Sequence, residues 1–374
     1  MKRCRECAAV ENDEVDQCPS CAARAWVVEP ALVVDGRYEV RRKIGRGAMG
    51  IVYQAEDIGL GRPVALKMIS PMYAREPAMI ERFQREARAI AALRNDHVVQ
   101  VYAFGPHGRS YYFAMEYVEG KTLATILDDH VRHQTVVSID RALTVMRQIA
   151  SGLTAVHDKG LVHRDVKPSN IVIEQDTGRP VVIDFGLVLQ PNRGLLAKTM
   201  RSGTPSYMAP EQSSQPVLDT SVLGPRTDVY SLACTAFELF TGKPPFTADD
   251  IQEVWLQHQT LAPPPIASLR NELAVLEPVL ARALEKDPAL RYASCEGFAH
   301  ALEKAAAPLL GRKTPPLVPR PTAQPTASMM GALLRVLVVT PHDALRAAVA
   351  SALSTAAGGK ATAVDAAASF AEAE

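Results

Sequence analysis

Residues 161–173 read LVHRDVKPSNIVI. Two apolar runs bracket five polar side chains: His163, Arg164, Asp165, Lys167 and Asn170. Charged groups are costly to hold beside buried segments unless they are paired or put to use. Asp165 is placed to accept or orient a proton from an attacking hydroxyl. Lys167, two residues on, would neutralise charge on a transferring phosphoryl group, and Asn170 offers an oxygen to a hard cation. Fourteen residues after Asn170, beyond the apolar run VVI, comes Asp184 in Asp-Phe-Gly. It supplies a second oxygen of the kind that Mg2+ (or Mn2+) takes together with phosphate oxygens. Phosphoryl transfer needs little else: positioning, cations and a group that orients the nucleophile.

Upstream, YEVRRKIGRGAMGIVYQAE at 38–56 carries Gly45, Gly47 and Gly50 as G-x-G-x-x-G, followed by Val52. A dinucleotide-binding turn of this form leads from strand to helix. Here it leads into IVYQAE, which alternates like a strand. The pattern predicts a glycine-rich hairpin lying over a nucleotide, where backbone amides approach phosphate without a Cβ in the way. The next strand, RPVALKMIS at 62–70, holds Lys67 among apolar neighbours. A buried ammonium needs an anion. A helix predicted over about 77–93 has Ile80, Phe83, Ala87 and Ile90 at helical spacing, with Glu86 on the same face. We therefore expect a Lys67–Glu86 pair that leaves the lysine able to hold phosphate oxygens. The strand YYFAMEYVEG at 111–120 places Met115 at its inner end. The backbone of Glu116 to Val118 is then available to a flat heterocycle.

The ordered set of Gly45–Val52, VALK at 64–67, HRDVKPSN at 163–170, DFG at 184–186 and APE at 209–211 resembles the eukaryotic-like protein kinase signatures. The likeness covers residues 36–306. The forms Asp165-Val-Lys167-Pro168 and GTPSYMAPE look like serine/threonine rather than tyrosine kinases, and are similar to those of bacteria. The resemblance implies an α+β, bilobal fold with a β-rich upper lobe and an α-helical lower lobe. It implies an ATP- and Mg2+-dependent, non-specific serine/threonine protein kinase that acts on protein serines and threonines and phosphorylates its own chain. By resemblance, Lys67 contacts the α/β-phosphates, Asp165 is the catalytic base, and Asn170 and Asp184 hold metal. Val52, Ala65 and Val172 pack on adenine. His163, Phe185 and Ile90 belong to a hydrophobic spine. Asp228 tethers the catalytic-loop backbone, Glu211 pairs with Arg291, and Thr204 lines the pocket for the substrate hydroxyl. In the family an arginine placed like Arg164 meets a phosphate on the activation loop, so phosphorylation of Thr199 or Ser202 is expected to order the segment at about 187–203. The rival account is a nucleotide-binding scaffold of the pseudokinase type that docks partners without turnover.

Outside this region, residues 1–35 contain CREC at 4–7 and CPSC at 18–21. Two C-x2-C turns supply Cys4, Cys7, Cys18 and Cys21 as a tetrahedral Zn2+ set. So short a segment has little core, and metal would supply its folding energy, of order 10–16 kcal/mol apparent. Four thiolates leave no open position, so this zinc is structural. Cys234 and Cys295 stand alone in apolar patterns and read as core residues. Residues 307–330 are rich in Pro, Thr and Ala and read as a linker. Residues 331–374 start with the strand RVLVVT and look like the beginning of a receiver-like α/β unit. Thr340 and Pro341 stand where receivers carry acids, and roughly 40 residues cannot close a covered parallel sheet.

The totals narrow the rest. The 374 residues carry 41 basic and 41 acidic side chains, a balance that gives no reason to expect a nucleic-acid or anionic-membrane surface. No run approaches the ~18 apolar residues of a membrane span. The N-terminus lacks a secretory apolar core, so the chain reads as cytoplasmic, where thiols stay reduced. A homodimer would serve autophosphorylation, although no residue pattern points to one.

Overall fold

The computed structural model describes residues 2–4, 10–11, 26–28, 32–47, 50–70, 77–108, 110–184, 205–214, 223–310, 337–339 and 365–367. The chain divides into two compact units, Met1–Leu317 and Val318–Glu374.

In the first unit, β1 (Lys2–Cys4), β2 (Val10–Glu11) and β3 (Trp26–Val28) form a small antiparallel sheet in the order β2-β1-β3. A six-stranded antiparallel sheet follows. It is built from β4 (Val33–Val34), β5 (Tyr38–Gly47), β6 (Gly50–Asp57), β7 (Arg62–Ile69), β8 (Val101–His107) and β9 (Ser110–Glu116), in the order β4-β5-β6-β7-β9-β8. Helix α1 (Pro77–Ala91) covers one face.

Strand alternation decides which side chains meet this helix. On β7, Val64 and Leu66 join the outer cluster around Tyr38 and Tyr53, while Ala65 faces the cluster that holds Ile80, Phe83, Ala87 and Ile90 of α1. Lys67 has the same parity as Ala65. On β9, Tyr112 and Ala114 point outward, and Phe113 and Met115 join the α1 side. Both faces of β7 are therefore covered, which explains its nearly continuous apolar run.

The lower lobe is helical. Its elements are α2 (Leu123–Arg132), α3 (Ile139–His157), α4 (Pro210–Ser214), α5 (Pro225–Thr241), α6 (Ile251–Thr260), α7 (Glu277–Ala283) and α8 (Cys295–Ala306). A second antiparallel sheet joins β10 (Gly120–Thr122), β11 (Ile171–Glu174) and β12 (Pro180–Val182). Thr122, Ser138 and Ser294 cap α2, α3 and α8 by accepting from the backbone N–H three residues on. Helix α5 is buried along nearly its whole circumference, as an apolar helix without a polar stripe must be. It starts at Pro225 and stops at Gly242, which sits at φ +80 in the left-handed region that glycine enters freely. Cys234 and Cys295 lie in this core, and burial pushes both thiols up.

In the second unit, β13 (Leu337–Val339) pairs in parallel with β14 (Asp365–Ala367). The rest of the receiver-like segment at 331–374 lies outside the described residues. No helix among the described residues is long and apolar enough to cross a membrane.

Candidate active site

The glycine hairpin forms as its sequence requires. β5 and β6 pair down to Gly47 opposite Gly50, with Gly45 opposite Val52. Gly50 adopts φ +157, and a Cβ there would sit 1.8 Å from the Met68 carbonyl oxygen. Only glycine fits that close approach. Gly45 and Gly47 meet no such obstacle, so their role is not internal packing.

Beneath the hairpin, Lys67 is buried at 7% exposure. Its Nζ donates to Asp184 Oδ1 at 2.7 Å. The partner differs from the one expected: no Lys67–Glu86 pair is found among the ion pairs of the described residues, while Glu86, half-buried on α1, is engaged in another interaction. The reason is local. Asp184 takes φ +53, and this left-handed turn at the end of the segment after β12 directs its carboxylate at the lysine. Burial pushes the Asp184 carboxyl up. The Lys67 charge and hydrogen bond, with His163 and Lys167 nearby, outweigh that and hold it below the usual carboxylate range. It remains an anion with oxygens for a cation.

The catalytic-loop residues draw together on Asp165. Lys167 Nζ lies 2.9 Å from Asp165 Oδ2. Asn170 Nδ2 donates to the same Oδ2 and to the Asp165 carbonyl, both at 2.8 Å. With its amide nitrogen so used, Asn170 presents Oδ1 as its remaining donor atom toward a cation. Asn170 also accepts at its backbone carbonyl from Ile183 N at 2.9 Å, which ties it to the residue before Asp184. The hard-oxygen set of Asn170 and Asp184 fits a divalent cation of the Mg2+ or Mn2+ type. Lys67 and Asp184 line one cavity, and Asp184 follows Ile183, whose N–H is bonded to Asn170, the partner with Lys167 of Asp165.

The loop hangs from α5. Asp228, fully buried, accepts from the backbone N–H of His163 and of Arg164, each at 2.7 Å. Arg164 is held at φ +66, a conformation that needs such support in a non-glycine residue. His163 Nε2 lies 3.2 Å from the Ile183 carbonyl oxygen, and its Nδ1 accepts from Asp165 N at 3.3 Å. Glu211 and Arg291 form a two-pronged pair at 2.8 Å for each prong.

Sequence reasoning missed three contributors. His157 Nε2 lies 2.7 Å from Asp228 Oδ2. Gln212 Nε2 donates to the Arg164 carbonyl. Thr227 donates to Glu211. Each joins residues far apart along the chain, where spacing carries no signal.

Most positions expected to face adenine gather on the α1 side of the sheet. Ala65 lies opposite Met115 across β7 and β9, both buried, with Val52 and Val118 packed against the same cluster. Val172 is buried on β11, and Glu116 ends β9 half-buried. Phe185, Thr199, Ser202 and Thr204 lie outside the described residues, as do Cys7, Cys18 and Cys21. Cys4 ends β1. Among the described residues no group of three or more His, Cys, Asp or Glu side chains is placed to hold a metal ion.

Known proteins agree with this geometry. Residues 38–302 match the protein kinase domain. The chain is 35% identical over 312 residues to the serine/threonine-protein kinase pkn2 of Myxococcus xanthus, covering 80% of this chain and 36% of that protein. It is 36% identical over 303 residues to the serine/threonine-protein kinase PknL of Mycobacterium tuberculosis, covering 79% of this chain and 72% of that protein. The crystal structure of the M. tuberculosis PknI kinase domain superposes with a TM-score of 0.60 at 33% identity, over 75% of this chain and all of that one (100%). The chain spans under half the length of some relatives, 46% for PknE of M. tuberculosis. On the family match and these likenesses, the chain belongs to the protein kinase domain family and carries a bilobal kinase domain of the bacterial serine/threonine type.

Proposed function

We propose that the protein transfers the γ-phosphoryl group of ATP to serine and threonine hydroxyls of proteins, its own chain among them. The observation that carries this reading is the meeting of Lys167 Nζ and Asn170 Nδ2 on a single Asp165 carboxylate oxygen, with the Lys67–Asp184 pair bonded through Ile183 to Asn170. Asp165 orients the attacking hydroxyl and takes up its proton. Lys167 offsets charge on the moving phosphoryl group. Lys67 exchanges its Asp184 contact for phosphate oxygens when nucleotide enters, and Glu86 on α1 is the carboxylate that then receives it. Asn170 and Asp184 would hold Mg2+ or Mn2+, which supplies neutralisation of the triphosphate charge. The backbone of Glu116 to Val118 faces the base, with Val52, Ala65, Met115 and Val172 around it, under Gly45, Gly47 and Gly50.

The test is incorporation of labelled γ-phosphate into a serine/threonine-rich acceptor protein by the chain and by Asp165→Asn. We expect incorporation only with the former. Equal incorporation by both, or none by either, would favour the scaffold account.

The remaining features form one signalling chain in this reading. Phosphorylation of Thr199 or Ser202 orders the activation segment against Arg164, whose backbone is already fixed from both sides. Full activity with neither residue phosphorylated would overturn that. Thr204 lines the acceptor pocket. The four thiolates of Cys4, Cys7, Cys18 and Cys21 hold a structural Zn2+. The support is that Cys4 ends β1 of an antiparallel three-stranded sheet, and that the other three cysteines fall, along the sequence, between its strands. Zinc content near zero in purified protein would contradict it. The parallel β13–β14 pair supports a partial receiver-like unit at 331–374 that follows the linker 307–330. We place the protein in the cytoplasm, with transient pairing of two copies for autophosphorylation.

A further inference from the structure

A buried-edge cluster centred on Arg179 lies outside the catalytic constellation. Arg179 stands just before β12, on the hairpin that returns from β11. Its Nε and Nη2 donate to the two oxygens of Glu174 at 3.2 and 3.0 Å. Glu174 also accepts from the Thr177 hydroxyl, and Arg179 N donates to Thr177 Oγ1 at 3.0 Å. These bonds close the hairpin and account for half of the guanidinium. The other half does work that a hairpin does not need. Nη2 donates to Glu116 Oε1 at 2.8 Å, and Nη1 donates to the carbonyl of Asp96. Those partners lie 63 and 83 residues away, one on the crossing segment between the lobes and the other on the loop after α1. Glu116 is held from its other side as well: Gln100 N donates to its Oε2 at 3.3 Å, and Glu116 N donates to the Gln100 carbonyl at 2.9 Å. Both side chains of the Glu116–Arg179 pair are 23% exposed, so water screens the contact only in part. A planar fork with five donors suits a junction of three segments in a way that a lysine does not.

We propose that Arg179 is a positioning residue for nucleotide binding: it clamps the crossing segment and the loop after α1 against the lower-lobe hairpin, and so pre-orients the Glu116–Val118 backbone that receives the base. This rests on the kinase reading for the identity of the ligand. Pre-organisation of a binding backbone raises affinity by removing an ordering cost, and the groups of the chemical step are untouched. Those groups hang from α5 through Asp228, on a separate set of bonds. Loss of the clamp should therefore raise KM for ATP and leave kcat nearly constant.

The experiment measures Mg·ADP affinity by calorimetry on the full chain, Arg179→Ala, Glu116→Ala and the double variant, with steady-state kinetics alongside. Each single change should weaken ADP about five- to tenfold, within the usual range of coupling between sites. The double variant should be no weaker than either single one, since both act through one contact. Arg179→Lys should recover part of the loss. Affinity of Arg179→Ala within about twofold of the unmodified chain, or additive losses, would overturn the proposal. Hydrogen exchange without nucleotide keeps the two readings apart. In Arg179→Ala the amides of Gln100 and Glu116 should exchange faster while those of α5 stay protected. If the unmodified chain bound no ADP, the kinase reading would fail. Unchanged exchange at Gln100 and Glu116 would then still refute the clamp, and faster exchange would uphold it.

Discussion

The two lobes bury their apolar residues in different ways. The lower lobe has one continuous core, in which α3, α5 and α8 share side chains and α5 is enclosed on nearly all sides. The upper lobe has two thinner clusters, one on each face of a six-stranded sheet, and among the described residues a helix caps only one of them. The chemistry is distributed accordingly. Asp165, Lys167 and Asn170 belong to a loop suspended from the thick core through Asp228. Lys67 and Glu86 ride on the thin side, on a strand and a helix that meet through Ile80, Phe83, Ala87 and Ile90. In the proposed reading, a site divided in this way would keep Asp165, Lys167 and Asn170 fixed on the lower lobe and let Lys67 move with the upper one.

The sharpest attempt to break that comparison is Asp228→Ala. It leaves two backbone donors and His157 without their acceptor in a fully buried place. We expect a loss of about 3–5 kcal/mol in denaturant unfolding, together with loss of phosphoryl transfer. A loss under about 1 kcal/mol would mean that the loop is supported by something else. Phe83→Ala attacks the thin side. Phe83 is fully buried and edge-on to Phe113. About 3 kcal/mol should be lost, and exchange should rise in β5–β9 while α5 amides keep their protection. Equal loss of protection in α5 would erase the distinction between the lobes.

A third change is one of pH. Burial, with the Lys286 ammonium beside it, holds the His258 imidazole down at about 4. Its folded value lies below its unfolded one, so the unfolded chain binds the extra proton first. Stability from this group is full above the unfolded value near 6.5 and is lost as pH falls through the interval down to about 4. Between pH 7 and pH 5 this should remove about 2 kcal/mol, and His258→Leu should flatten that part of the stability profile. An unchanged slope in the variant would assign the acid loss to other groups. The smallest effect belongs to the exposed pairs of Arg41 with Glu39 and Glu56. Arg41→Ala should leave the denaturant midpoint unchanged within error.

Local patterns in the chain foretold much of this arrangement. The glycine hairpin, β7, α1 and the catalytic loop each announce themselves within about ten residues, because alternation, helical spacing and turn chemistry act over that range. The grouping of Asp165, Lys167 and Asn170 was legible for the same reason: six consecutive residues of one loop stay together whatever surrounds them. Lys67 marks the limit. Its burial among apolar neighbours showed that it needs an anion, and Glu86 on the facing helix was the natural choice. Asp184 holds it instead, through a left-handed turn 117 residues away that no spacing rule announces. Arg179, His157 and Gln212 were silent for a related cause. A lone arginine, histidine or glutamine has no periodicity of its own, and its partner is set only when the lobes close.

The central claim is that one ammonium, one amide and two carboxylates converge on the phosphate tail of a nucleotide. Its most direct test is a crystal structure grown with a non-hydrolysable ATP analogue and Mn2+, with the metal located by anomalous scattering. The account predicts a metal peak bounded by Asn170 Oδ1 and the Asp184 carboxylate, Lys67 moved onto phosphate oxygens, and Asp165 facing the γ-phosphate. Nucleotide seated away from the glycine hairpin, or Mn2+ without Asn170 and Asp184 as ligands, would contradict it.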